Sequence, residues 1–123
     1  NLLTARAQAA SEDEVLLEIA GYTLPVSSTD WITPGETLLL SLRAERLHLS
    51  PKPVTTPCRL VGELVESHYA GSERTSLVRL PDGQTLTART STESEQDLSP
   101  GSLVYVHWQQ ASGVLVRDDR EEA

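Results

Sequence analysis

Three histidines, His48, His68 and His107, and one cysteine, Cys58, are the side chains of this 123-residue chain best suited to hold a soft metal ion. No two of them stand at a ligand spacing such as Cys-x-x-Cys or His-x-x-x-His. His107 alternates with Leu103 and Tyr105 on one face of an expected strand, which makes it an ordinary strand histidine. Cys58 follows Pro57 at a strand entrance with no base near it in sequence, a poor setting for a nucleophile. Glu12, Asp13 and Glu14 lie between two apolar segments and read as a solvated turn. The one lysine, Lys52, sits between Pro51 and Pro53, so no Gly-x-x-x-x-Gly-Lys-Ser/Thr phosphate loop exists here. No apolar strand ends in an aspartate placed to hold magnesium. Without a paired acid and base, the chain is expected to be no enzyme, with no catalytic, cofactor-binding or metal residue of its own.

Charge narrows the partners. The formal net charge is −8, and aromatic residues are only 4% of the total. An acidic surface repels phosphate backbones, and single-strand binding needs stacked aromatics in a basic groove, so nucleic acid is not an expected partner. No apolar run reaches the length of a membrane span, so no direct membrane insertion is expected. A lone cysteine fits a reducing cytoplasm. The chain contains no methionine and opens on Asn-Leu-Leu, which reads as a fragment of a longer protein starting at a domain boundary.

The elements that would position any site are strands. Strand patterns cover 15–20, 23–26, 37–42, 59–67, 75–80, 84–89, 102–108 and 114–117, while the Ala-rich stretch 2–10 is the best helix candidate. Many short strands with Pro-Gly punctuation at Pro34-Gly35 and Pro100-Gly101 argue for an all-β sandwich or barrel. In the stretch 77–89 two turns compete. A two-residue Asp82-Gly83 loop would put Arg79 on the face of Leu86. A three-residue Pro81-Asp82-Gly83 loop pairs Leu80 with Gln84 and Val78 with Leu86, leaving Arg79 and Arg89 outside. The second sorts the side chains better, with Pro81 presetting a type I turn and Gly83 in the left-handed position.

That hairpin has an earlier counterpart. Residues 15–26 align without gaps on 77–88, placing Gly21 on Gly83, and 33–42 align on 99–108. Thr4-Ala5-Arg6-Ala7 falls where Val61-Gly62-Glu63-Leu64 stands in the second copy. The plan is thus two copies of one unit, 1–53 and 54–118, joined through the proline-rich segment 50–57 and followed by a charged tail, 119–123. Units of four or five strands leave edges to cover, so oligomerisation is expected. Trp31, in the loop before Thr33-Pro34-Gly35, would either plug one end of a barrel or contact a partner.

One family shares this order of motifs. Asn1-Leu2-Leu3, Leu42-Arg43-Ala44-Glu45-Arg46-Leu47, Gly62, Tyr69-Ala70-Gly71, Leu80-Pro81-Asp82-Gly83, Arg89, Pro100-Gly101 and Val104 to Trp108 resemble the C-terminal TOBE region of ABC-importer ATPase subunits. The group is the one serving polyamines, ferric iron and related solutes. The resemblance implies two OB-like β-barrel units packed together, used for dimer contact and for regulating the ATPase. It implies a missing upstream domain that binds ATP and magnesium, transporter membrane subunits as further partners, and a place in the cytoplasm, peripheral to the inner membrane. Ala44 stands where the family has proline, which loosens the turn but keeps both charges. Arg43, Glu45, Trp31, Arg79 and Arg89 are the interface or regulatory candidates. Gly21, Gly71, Pro81, Asp82, Gly83 and Gly101 are expected to be turn devices. The alternative is a free-standing module that captures a small oxyanion such as molybdate between the two units.

Overall fold

The computed structural model describes residues 1–92 and 98–117, so the tail expected over 119–123 lies outside the described residues. Among the described residues ten strands form two five-stranded antiparallel sheets. They are β1 (Leu2–Ala10), β2 (Glu14–Ile19), β3 (Tyr22–Ser27), β4 (Thr37–Ser41), β5 (His48–Ser50), β6 (Arg59–Ala70), β7 (Glu73–Arg79), β8 (Thr85–Ser91), β9 (Leu103–His107) and β10 (Val114–Arg117). The first sheet runs β10-β4-β1-β2-β3 and the second β5-β9-β6-β7-β8. The architecture is all-β, as the sequence pattern implied. Among the described residues no helix is long and apolar enough to cross a membrane.

Residues 2–10 are a central strand and not a helix. Leu3, Ala5 and Ala7 are buried with a period of two, and β1 pairs with β4 on one side and β2 on the other. Helix propensity in an Ala-rich stretch is worth a few tenths of a kcal/mol per residue. Ladders on two sides and a buried face outweigh it.

The hairpin at 81–83 takes the three-residue register. Leu80 N–H donates to Gln84 O (2.7 Å) and Gly83 N–H to Leu80 O (2.9 Å), with Val78 opposite Leu86. Gly83 has φ +91°, the left-handed position. The earlier hairpin is tighter. Ile19 pairs with Tyr22, so Ala20 (φ 51°) and Gly21 (φ 86°) make a two-residue turn. Leu17 therefore matches Val78 rather than Arg79, and the gapless alignment is one residue out on the upstream strand.

Elsewhere the two copies correspond closely. Gly35 N–H donates to Ala7 O and Gly101 N–H to Leu64 O, both at 2.7 Å. β1 bulges between Ala7 and Ala9 against β2, and β6 bulges between Leu64 and Glu66 against β7. Each copy then makes a 3-10 turn, Ala44–Arg46 or Gln110–Ser112, and a last short strand.

Those last strands are exchanged. β5, placed by sequence in the first unit, pairs with β9 in the second sheet, and β10, placed in the second, pairs with β4 in the first. One apolar cluster, from Leu3 to Trp108, accordingly runs through both sheets. The sequence also expected Trp31 as a possible barrel plug. Trp31 is 85% exposed, and its neighbour Ile32 is the residue buried in the core. A smaller aliphatic side chain fits beneath the loop, with no indole N–H to satisfy.

Candidate functional site

Two carboxamides stitch the first sheet to the edge strand of the second. A carboxamide carries the same donor and acceptor as a peptide unit, so it can complete a ladder from the side. Asn1 Oδ1 accepts from Thr87 N–H (2.7 Å), while its Nδ2 donates to Thr87 O (2.8 Å) and Leu42 O (3.1 Å). Gln84 Oε1 accepts from Thr4 N–H (2.6 Å) and its Nε2 donates to Thr4 O (3.0 Å). The matching place in the other half holds Cys58, whose thiol lies 3.5 Å from Pro25 O. Burial, with the charge of Glu14, pushes that thiol above its ordinary value, an environment for an inert cysteine.

Close to this seam the 3-10 turn Ala44–Arg46 packs on β8. The turn is entered by Arg43 in extended backbone and lacks a side-chain cap. It brings Arg43, Glu45 and Arg46 into the field of Arg89. The Glu45 carboxyl is held below its usual value, chiefly by a hydrogen bond from its own backbone; desolvation acts next and the other way, and the charges of Arg89, Arg43 and Arg46 each lower it further. The charges of Arg43, Arg46 and Arg89 all act on this one carboxylate, so positive charge is locally in excess on a strongly acidic chain. A groove of about 390 Å³ opens beside them, lined by Ser41, Arg43, Arg46, Gln109, Ser112 and Val114, with no carboxylate among the described residues of its wall.

Of the five interface candidates, Arg43, Glu45 and Arg89 come together. Arg79 does not join them. It stands at the hairpin end of β7, opposite Thr85, and pairs with Glu63 across the β6–β7 ladder at 3.5 Å. With both partners half exposed, such a pair is worth about 0–1 kcal/mol. Trp31 is separate again, on a cleft of about 470 Å³ lined by Ala10, Ser11, Glu12, Asp30, Ile32 and Pro34. Its carbonyl accepts from Arg117 Nη2 (2.6 Å), and Arg117 also pairs with Glu36. Among the turn residues, Gly21, Gly71, Gly83 and Gly101 all have positive φ, and Asp82 Oδ1 accepts from Gln84 N–H (3.0 Å).

Sequence reasoning missed Arg46, Asn1 as a stitch, Gln84 and Arg74. Arg74 is 2% exposed. Its Nε donates to Ser67 Oγ (3.1 Å) and its Nη2 to Leu98 O (3.0 Å), with the guanidinium 5.6 Å from the Tyr69 ring centre. The signal was its alternation with Ser76, Val78 and Leu80, which places it on the inner face. Among the described residues no three histidine, cysteine, aspartate or glutamate side chains converge on a metal-sized site.

Comparison with known proteins bears on this arrangement. Residues 40–116, more than half of the chain, match the family described as the TOBE domain. A curated relative, the spermidine/putrescine import ATP-binding protein PotA of Nitratidesulfovibrio vulgaris, is 31% identical over 105 residues, covering 81% of this chain. The chain spans 28% of that relative's length. Among solved structures, the cytoplasmic molybdate-binding protein ModG, in a form with molybdate bound, superimposes with a TM-score of 0.82 over 96% of each chain at 15% identity. At that identity the likeness concerns the fold.

Proposed function

We propose, from the premise that this chain belongs to the TOBE domain family, that it is the C-terminal regulatory and dimerisation module of an ABC importer's ATP-binding subunit. The observation that supports this most is the 31% identity over 105 residues with an ATP-binding import subunit. The chain holds no phosphate loop, so nucleotide binding and hydrolysis fall to an upstream domain, and the membrane subunits of the transporter are reached through that parent protein. The relative's name makes a polyamine the first solute to try. The working place is the cytoplasmic face of the membrane.

The Arg43–Glu45–Arg46–Arg89 cluster is the surface assigned to contact with a second copy. It is a local positive patch on a chain of net charge −8, so an acidic region of another copy is drawn to it. Glu45→Lys reverses an exposed charge at the centre of the patch, where it accepts no buried partner. Because the change makes the patch more positive, the expected result is a tighter self-association in sedimentation velocity, with the melting temperature within about a degree or two of the parent, as for surface changes near 0.5 kcal/mol. A parent chain that stays monomeric across the dilution series contradicts the dimerisation role. A second reading, capture of a small oxyanion, is favoured by the carboxylate-free groove beside Arg43 and Arg46. A rise in melting temperature with molybdate or sulfate in the same samples moves the assignment there.

A further inference from the structure

We propose that His48 and His107 form an acid-sensitive clasp that holds the exchanged strand β5 in the second sheet. The two residues face each other in register across the β5–β9 ladder, with ring centres 5.2 Å apart and planes 27° from parallel. Neutral imidazoles stack at this distance, whereas two imidazolium ions repel. β5 is only three residues long and lies at the sheet edge, and Leu49 is the one side chain it buries. So short a ladder has few pairs to share a repulsion, and a change in one cross-strand pair weighs heavily on it.

The surroundings favour the neutral pair. On the far side of His107 its register partner on β6 is Arg59. Tyr105 and Ser50 share the outer face. Arg46 and Lys52 stand beyond the two ends of β5, and β8, which also packs on β5, contributes Arg89. The carboxylate nearest in sequence, Glu45, lies in the field of Arg89, Arg43 and Arg46. Further along β6, Glu63 is opposite Leu103 and pairs with Arg79. The His107 pKa lies below its ordinary value, first through burial and then through the charge of His48.

A histidine depressed in the folded state binds more protons when its strand is released. Stability of the clasp is therefore full above the ordinary histidine value of 6.5 and is lost as pH falls through the folded value. The other exchange has no such feature. There Val114 faces Ser41, and Leu2 flanks Ser41 on the other side, where His48, His107 and Arg59 stand in the second sheet. Acid should thus loosen one exchange and spare the other.

Amide hydrogen exchange of the whole chain at about pH 7.5 and about pH 5, normalised to intrinsic rates, reads this directly. Protection over His48–Ser50 and the facing amides of β9 is expected to fall in acid, about tenfold per unit of pKa depression, while the β1–β2 ladder keeps its protection. In His48→Gln, a change at an exposed position, and in His107→Gln, the acid loss is expected to shrink. An unchanged acid loss in both variants, an equal loss in the β1–β2 ladder, or no loss in the parent overturns the proposal.

Discussion

Gly62→Val is expected to cost roughly 3 kcal/mol or more of folding stability, at the upper end of what overpacking a core produces. A Cβ built on Gly62 would lie 2.6 Å from Val78 Cγ1 and 2.7 Å from the carbonyl oxygen of Arg79. The first contact is with a fully buried side chain and the second is with backbone, so neither can simply turn aside. Relief requires β6 and β7 to part, and theirs is one of the two ladders that hold β6 in the second sheet. Gly62→Ala should lose about 1–3 kcal/mol for the same reason. Gly83 provides the contrast. Its Cβ would meet nothing within 4 Å, so Gly83→Val costs only the strain of φ +91°, about 1–3 kcal/mol. Urea unfolding of the three variants checks the order. A Gly62→Val chain as stable as Gly83→Val would show that the strands are further apart than described.

Arg74→Ala is expected to cost roughly 2–4 kcal/mol, through lost charge-assisted hydrogen bonds, two of them within the described residues, and the space left behind. The guanidinium reaches Leu98 O from the inner face of β7, and so ties the segment before the Pro100-Gly101 turn to the hairpin. Its Nε also anchors the Ser67–Ser76 hydroxyl pair, which lie 3.0 Å apart. Arg74→Lys should rescue little. A single ammonium on a flexible stem cannot reproduce two donations made from one planar fork. Equilibrium unfolding compares the two variants. A lysine variant matching the parent would mean that charge alone matters at this site and the fork geometry does not.

How far the sequence could be read depended on the range of the forces involved. The hairpin around Pro81-Asp82-Gly83 was legible to the residue, because turn chemistry and a two-residue period act within a few positions. The repeat was legible from Pro-Gly turns and matched strands. Its first hairpin came out one residue off because Ala20-Gly21 closes a shorter loop than Pro81-Asp82-Gly83. β1 was misread because its inward side chains are Leu3, Ala5 and Ala7, and small residues give a faint alternation that an Ala-rich helix imitates. The exchange of β5 and β10 was not legible at all. Both are three- or four-residue strands, and their partners are set by how the two sheets close on a shared core.

The candidate site divides in the same way. Arg43, Glu45 and Arg89 were singled out as charged residues of motifs shared with the family, and the 3-10 turn packed on β8 sets Glu45 in the field of Arg43 and Arg89. Arg46 lies on that same turn yet was passed over, since its charge looked no different from any other surface arginine. Asn1 and Gln84 act by imitating a peptide unit across 80 residues or more of chain, and nothing in a single sequence marks a side chain for that. Trp31 drew attention as a large apolar residue. The core took Ile32 instead, and left the indole exposed.

Sequencing the reading frame upstream of the Asn1 codon tests most directly the proposal that this chain is the regulatory end of an importer's ATP-binding subunit. The expected result is a continuous frame that carries a Gly-x-x-x-x-Gly-Lys-Ser/Thr phosphate loop. A start codon directly before Asn1 would contradict it and leave a free-standing TOBE protein, for which the groove beside Arg43 and Arg46 becomes the first place to look for a ligand.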